Sequence, residues 1–381
     1  MFIWIHTKFC INCVQIFTRE NYSYCQTSSR LKKKINVGAA VYVGLKEYSL
    51  EDNLKYLELL ASLNYEFVFI SAHIPEMNEG FVFELQEVCK KAKELKIKIC
   101  LDVAKPMMAK IGCPDVYALR LDYGFKLDEI VKYYKEKKYV VELNASTISY
   151  DDLIYLKNKG VSLSDIRISH NFFPKKGTGL SYESIIEKNR RYHELGLNVG
   201  IYIPCHNQKR PPMYEGLPSC EDHRDMSLYG VLSTIRYLDC DEVFFGDAYA
   251  SRDELHLMKN FDYNTAVLPI LINSNISVYE KELLKKMHHY RPDAPTAFVR
   301  SSSRSKEDLL PHNTVERNIL DVTIDNVKFG RYQGEVCIMK EHMVADERVN
   351  VVGRALVSAA MLKSIWPGRK FRFVIVGEYD D

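Results

Sequence analysis

Phe67-Val-Phe-Ile-Ser71, Phe83-Glu-Leu-Gln-Glu-Val-Cys-Lys-Lys-Ala-Lys-Glu-Leu95 and Ile97-Lys-Ile-Cys-Leu-Asp102 follow one another in the chain, and their reading decides the fold. The outer two are short apolar runs of strand formers. The middle one repeats apolar residues at Leu85, Val88, Cys89, Ala92 and Leu95, the spacing of one helix face. A strand, a helix and a second strand running the same way make a βα unit of a parallel sheet. The alternation recurs, with strands expected at 39–44, 118–122, 139–143, 165–169, 198–203 and 242–246. Helical patterns fall at 53–63, 127–135, 152–159, 182–195 and 228–237. Eight such strands favour a closed (β/α)8 barrel, an α/β TIM barrel, over an open sheet.

A chain of 381 residues exceeds what one core usually holds, so two domains are expected. The barrel is assigned to residues 37–292, with Pro292-Asp-Ala-Pro295 as its exit. Residues 296–381 form a small β-rich domain with strands at 321–326, 334–339, 348–352 and 371–376. Ser49 with Asp52, and Ser181 ahead of Glu183, read as helix starts, and Gly160 and Gly196 as helix ends. Residues 1–36 read as an extension, with the ordered protein starting near Leu31. The apolar run at 2–17 is broken by His6, Lys8, Asn12 and Gln15, which makes it a poor signal peptide and too interrupted to span a membrane.

With 46% hydrophobic and 27% charged residues, 52 basic against 50 acidic side chains and a net charge of +2, bulk charge gives nucleic-acid binding no support. Ten scattered cysteines point to reduced thiols in a cytoplasm. Cys10-Ile-Asn-Cys13 has the spacing of half a metal site and no second half, so neither a metal nor a cofactor is assigned. Oligomeric state is left open.

Chemistry gathers where the expected strands end. Ser71 and His73 close the second strand, Asp102 the third, Arg120 and Asp122 the fourth, Glu142 and Asn144 the fifth. His170 and Asn171 follow the sixth, and Asp247 the eighth. Each has a plainer reading. Asp102 and Asp122 also suit caps or loops, Arg120 also suits a pair with Asp122, and His73 and His170 also suit buried, hydrogen-bonded histidines. A carboxylate inside Val-Val-Glu142-Leu-Asn has few structural explanations. Asp247 follows Phe-Phe-Gly, where a glycine permits close approach of a backbone or a ligand. The long connection at 204–227, which carries Glu215, reads as a lid or binding loop. Beyond the barrel, Arg300 and Arg304 flank three serines, a set suited to a phosphate or to a solvated linker. Asp325 and Asn326 lie in Asp321-Val-Thr-Ile-Asp-Asn326.

Several of these stretches, in order, resemble the bacterial 6-phospho-N-acetylmuramidases, a family long labelled as an outer surface protein. They are Phe69-Ile-Ser-Ala-His-Ile-Pro-Glu76, Glu142-Leu-Asn-Ala-Ser-Thr147, and Ser169-His-Asn-Phe-Phe-Pro174 with Thr178-Gly-Leu-Ser181. Glu215-Gly-Leu-Pro-Ser-Cys-Glu-Asp-His-Arg224, Gly246-Asp247 and Asp321–Asn326 complete the set. The resemblance runs from about Val37 to the C-terminus. It departs at Cys205-His-Asn-Gln-Lys, where a glycine-rich loop start is expected, and at Ala248, where a proline is usual.

The resemblance implies a cytoplasmic cell-wall recycling enzyme, a barrel fused to a cyclophilin-like domain. Such an enzyme would hydrolyse the β-1,4 bond of 6-phospho-N-acetylmuramyl-N-acetylglucosamine. For glycoside hydrolysis by two carboxylates, Glu142 and Asp247 are the first candidates and Asp102 and Asp122 the next. His73, Arg120, Asn144, His170, Asn171, Glu215, Arg300, Arg304, Asp325 and Asn326 are the candidates for holding the phosphorylated amino-sugar disaccharide. Retention, inversion and substrate-assisted attack all stay open. The competing classes are a phosphosugar lyase or isomerase, for which Lys105 is the nearest Schiff-base lysine, and a non-catalytic saccharide-binding protein.

Overall fold

The computed structural model describes residues 34–379 apart from 73, 75, 294 and 306. The expected extension at its start and the Cys10/Cys13 half-motif therefore lie outside the described residues. The chain divides into two compact units, residues 35–263 and residues 264 onward.

The first unit is a closed barrel of eight parallel strands. These are β1 (Asn36–Ala40), β2 (Phe67–Ser71), β3 (Lys98–Val103), β4 (Ala118–Leu121), β5 (Val140–Asn144), β6 (Arg167–Ser169), β7 (Asn198–Ile203) and β8 (Glu242–Ala248). β8 pairs with β1 and closes the ring. Helices α1 (Leu50–Ser62), α2 (Phe81–Glu94), α3 (Lys105–Ile111), α4 (Leu127–Glu136), α5 (Tyr150–Asn158), α6 (Tyr182–Glu194), α7 (Leu228–Thr234) and α8 (Arg252–Asn260) connect and follow the strands. Local chemistry sets their ends. Ser49 and Ser181 accept hydrogen bonds from the first-turn amides of Asp52 and Ser184. Gly160 and Gly196, at φ 88° and 83°, reverse the chain after α5 and α6 in a conformation other residues resist.

The register of the strands places charge in the interior. Ser71, Asp102, Arg120, Glu142 and Arg167 occupy successive Cα partner positions from β2 to β6. Because barrel strands are staggered, this row is a spiral. Ser71 is the last residue of β2, whereas Arg167 is the first of β6. The row thus starts at the C-terminal mouth and ends deep in the barrel, where Glu242, the first residue of β8, continues the charge.

The second unit is a seven-stranded mixed sheet in the order β10-β15-β9-β14-β12-β13-β11. Its strands are β9 (Thr265–Asn273), β10 (His288–His289), β11 (Phe298–Arg300), β12 (Asp321–Asp325), β13 (Val336–Met339), β14 (Val349–Ala355) and β15 (Lys370–Tyr379), with α9 (Val278–Leu284) after β9. β9 runs parallel to β15 and antiparallel to β14. The boundary therefore lies between Tyr263 and Asn264, not at Pro292–Pro295. An almost wholly buried apolar strand coming directly after a helix reads, from order alone, as more barrel.

No helix among the described residues is long and apolar enough to cross a membrane.

Candidate active site

At the mouth of the barrel lies a cavity of about 500 Å³, and three carboxylates line it: Asp102, Asp122 and Glu76. Arg120 ties the first two together. Its Nη1 donates to Asp102 Oδ1 at 2.7 Å and stands 3.7 Å from Asp122 Oδ2. Burial opposes the charge on Arg120, but Asp102, Asp122 and Glu142 hold its pKa above the usual arginine value. Ser71 Oγ donates to the second oxygen of Asp102 at 3.1 Å, so both oxygens of that side chain are occupied. Asp122 stands just past β4, two residues beyond Arg120 on the same face, and its side chain keeps 17% of its surface exposed. Asn144 donates to Asp122 Oδ1 at 2.7 Å, and Asn171 accepts from Arg120 Nη2 at 2.6 Å. Phe69, Phe172 and Tyr202 form an aromatic wall, with ring centroids 4.9–5.9 Å apart.

Glu142 does not line this cavity. It sits lower on the spiral, 2% exposed, where Ser169 Oγ donates to Oε1 at 2.6 Å and Cys100 Sγ to Oε2 at 3.1 Å. Arg167 Nε lies 3.1 Å from Oε2, close enough for an ion pair but without the alignment of a hydrogen bond. Its Nη2 donates to Glu242 at 2.6 Å. Glu142 is thus the middle of a buried ionic chain.

Asp247 is fully buried and also stands away from the lining. It accepts three backbone N–H groups of the long loop, from Cys205 at 3.2 Å, Arg210 at 2.9 Å and Leu217 at 3.1 Å. Burial pushes its pKa up and these three bonds push it down, leaving it raised. Asp247 shapes the loop, and Gly246 explains how. A Cβ there would stand 2.4 Å from the Leu217 carbonyl oxygen, so the backbone that this glycine admits is the loop itself. Cys205 and Ala248, the two departures from the expected motifs, sit within this arrangement, Ala248 as the last residue of β8.

The remaining candidates separate clearly. His73 lies outside the described residues. Glu215 accepts from the Lys176 amide at 2.8 Å and joins two loops. Asn144 positions Asp122 and Asn171 lines the cavity. His170 is fully buried, and its Nε2 meets Asn189 Oδ1 at 2.8 Å. In the second unit, Arg300 and Arg304 both bind Glu335, Arg304 at 2.9 Å. Asn326 is buried and donates to Glu347 O and Asn350 Oδ1. Asp325 lines a separate cavity of about 380 Å³, where burial and Glu335 push its pKa up to about 7. Lys105 pairs with Glu129 at 2.7 Å and is absent from the cavity lining. Sequence reasoning passed over Glu76 and Arg210. Glu76 ends a quoted motif, and Arg210 stands beside Pro211-Pro212 in the long loop. No group of His, Cys, Asp and Glu among the described residues is arranged to hold a metal ion.

Burial gives His170 a testable signature, because it lowers the imidazole pKa from 6.5 to about 4. His223, which meets Thr234 Oγ1 at 2.8 Å, is lowered to about 3. Between the unfolded and folded pKa values the unfolded chain binds the extra proton, so stability is complete above about pH 6.5 and falls as pH drops towards 4. His170 alone contributes on the order of 3 kcal/mol of this loss. Thermal unfolding midpoints should decline across that window, and a His170→Asn variant should show a flatter profile. A midpoint independent of pH from 7 to 4 would contradict the assignment.

Residues 37–260 match the family described as 6-phospho-N-acetylmuramidase, N-terminal, and residues 266–374 the one described as 6-phospho-N-acetylmuramidase, C-terminal. An uncharacterized Bacillus cereus protein of known structure superposes with a TM-score of 0.74 at 25% identity, covering 90% of this chain and 99% of its own. A conserved Enterococcus faecalis protein of unknown function gives 0.68 at 28% identity, covering 90% and 96%. No curated protein matches the chain significantly. With both halves of the architecture matched in order, the chain belongs to the 6-phospho-N-acetylmuramidase family.

Proposed function

We propose that this protein is a cytoplasmic glycoside hydrolase of peptidoglycan recycling that cleaves the β-1,4 bond of 6-phospho-N-acetylmuramyl-N-acetylglucosamine. The observation that carries the reading is the carboxylate pair Asp102 and Asp122, held against one guanidinium nitrogen at the floor of a cavity wide enough for a sugar. Family membership supplies the substrate class.

The roles follow from the partners. Asp102, with both oxygens occupied and Arg120 against it, stays an anion and faces the positive charge that develops at the anomeric carbon. It acts directly or by orienting the substrate's own acetamido oxygen. Asp122 is the more exposed, accepts a 2.7 Å hydrogen bond from Asn144, and donates the proton to the leaving oxygen. The aromatic wall offers apolar faces for the pyranose rings.

The two oxygens on Arg120 Nη1 are separated by no more than the sum of 2.7 Å and 3.7 Å. Two carboxylates drawn onto one nitrogen suit the close pair of a retaining enzyme, or substrate-assisted attack, and on that ground we infer retention. Proton NMR of the first-formed sugar tests this. The β-anomer should appear before mutarotation, and initial release of the α-anomer would reject the assigned pair. Absence of turnover on the phosphorylated disaccharide would reject the hydrolase reading itself.

A further inference from the structure

Arg210 is a buried cation of the barrel whose side chain makes no ion pair with another described residue. Arg120 has Asp102, Arg167 has Glu142 and Glu242, and Arg224 has Glu221. Arg210 is only 8% exposed and lines the barrel cavity, and its Nε is buried without a hydrogen-bond partner. No carboxylate or other acceptor among the described residues takes a hydrogen bond from its side chain. Two aromatic rings hold it instead, with Cζ 5.0 Å from the centroid of Tyr42 and 5.8 Å from that of Phe172.

The cradle is built to keep the guanidinium in place. Arg210 N–H donates to Asp247 Oδ1 at 2.9 Å, which pins the backbone, and the Tyr42 hydroxyl donates to the Gly246 carbonyl at 2.5 Å, which pins the ring. Aromatic faces orient a guanidinium and stabilise it without neutralising it. Burying a charge without a direct ion-pair partner opposes folding, so the position is explained by a ligand that brings the anion. The flat fork of five N–H donors suits an oxyanion with two or more oxygens.

We infer that Arg210 receives the oxyanion carried by the sugar, a phosphate monoester or a carboxylate, through forked N–H···O bonds at the cavity wall. This rests on the phosphosugar reading above. A 6-phosphorylated N-acetylmuramic acid carries both groups, the phosphate on C6 and the lactyl carboxylate on O3, and their shared chemistry is what the guanidinium recognises. The arginine of the cavity then selects the anionic sugar, while Arg300 and Arg304 are already bound to Glu335.

The test is calorimetric titration of the full chain, and of its Arg210→Met and Arg210→Lys variants, with four sugars. These are N-acetylmuramic acid 6-phosphate, N-acetylmuramic acid, N-acetylglucosamine 6-phosphate and N-acetylglucosamine. The methionine variant should bind the anionic sugars roughly ten- to a hundredfold more weakly, with N-acetylglucosamine unchanged and the lysine variant in between. Its melting temperature should equal or exceed that of the wild type, because an unpaired buried charge has gone. Loss that follows the 6-phosphate identifies the phosphate as the bound group, and loss that follows the lactyl arm identifies the carboxylate. Unchanged affinities, or equal weakening of all four sugars with a lower melting temperature, would overturn the inference. Because binding is read and not turnover, a chain that binds anionic sugars through Arg210 but hydrolyses none would remove the glycosidase reading and leave this one standing.

Discussion

The Asp122→Asn enzyme should hydrolyse the phosphorylated disaccharide roughly 10²–10⁴-fold more slowly, with little change in KM. The substitution keeps the shape of the side chain and an oxygen for Asn144 to donate to, so the scaffold is preserved. What disappears is the transferable proton. Departure of an N-acetylglucosamine alkoxide depends on that proton, whereas departure of a dinitrophenolate does not. The defect should therefore shrink on a dinitrophenyl glycoside of 6-phospho-N-acetylmuramic acid. Equal losses on both substrates would deny Asp122 the role of acid, and a normal rate on the disaccharide would exclude it from the reaction.

Glu142→Ala should act on the fold. Its carboxylate accepts from Ser169 and Cys100, pairs with Arg167 and stands 3.9 Å from Arg120, all in the barrel interior. Removing one member of a buried ionic chain strands the others, at a cost of about 3–5 kcal/mol. The urea midpoint should fall accordingly, and activity should fall only in proportion to the folded fraction. Replacing Glu142 and Arg167 together by apolar residues should recover part of the loss, since the stranded charge goes too. A Glu142→Ala protein with a wild-type midpoint but no turnover would return Glu142 to the chemistry.

These two residues also show how far sequence reading reached. That Asp102, Arg120, Asp122 and Glu142 all point inward was legible from strand alternation, because each stands two or an even number of residues from another inward group on its own strand or among apolar neighbours. Depth was not legible. Depth depends on stagger between strands, and the row from Ser71 to Arg167 descends as it passes around the barrel. Glu142 therefore ends up with the basal charges and Asp122 at the mouth. Asp247 was flagged through Gly246, and the close approach it signalled is made by Leu217. The hydrogen bonds from Cys205, Arg210 and Leu217 to Asp247 could not be anticipated, since they depend on the path of an irregular loop. Arg210 left no trace in the sequence because its significance is that its side chain has no ion-pair partner among the described residues, a property of the folded neighbourhood. The misplaced domain boundary has the same origin, for β9 carries no local mark of which sheet it joins.

The position of β9 also orders events during synthesis. The barrel closes with β8, so once residues up to Tyr263 have left the ribosome every strand of that unit has its partners. β9 emerges next and must wait, because its neighbours β14 and β15 are the last strands to be made. Throughout that interval an apolar segment, buried along nearly its whole length in the finished sheet, is exposed beside a finished barrel. Such a waiting strand is the part of a nascent chain most open to wrong pairing and to chaperone capture.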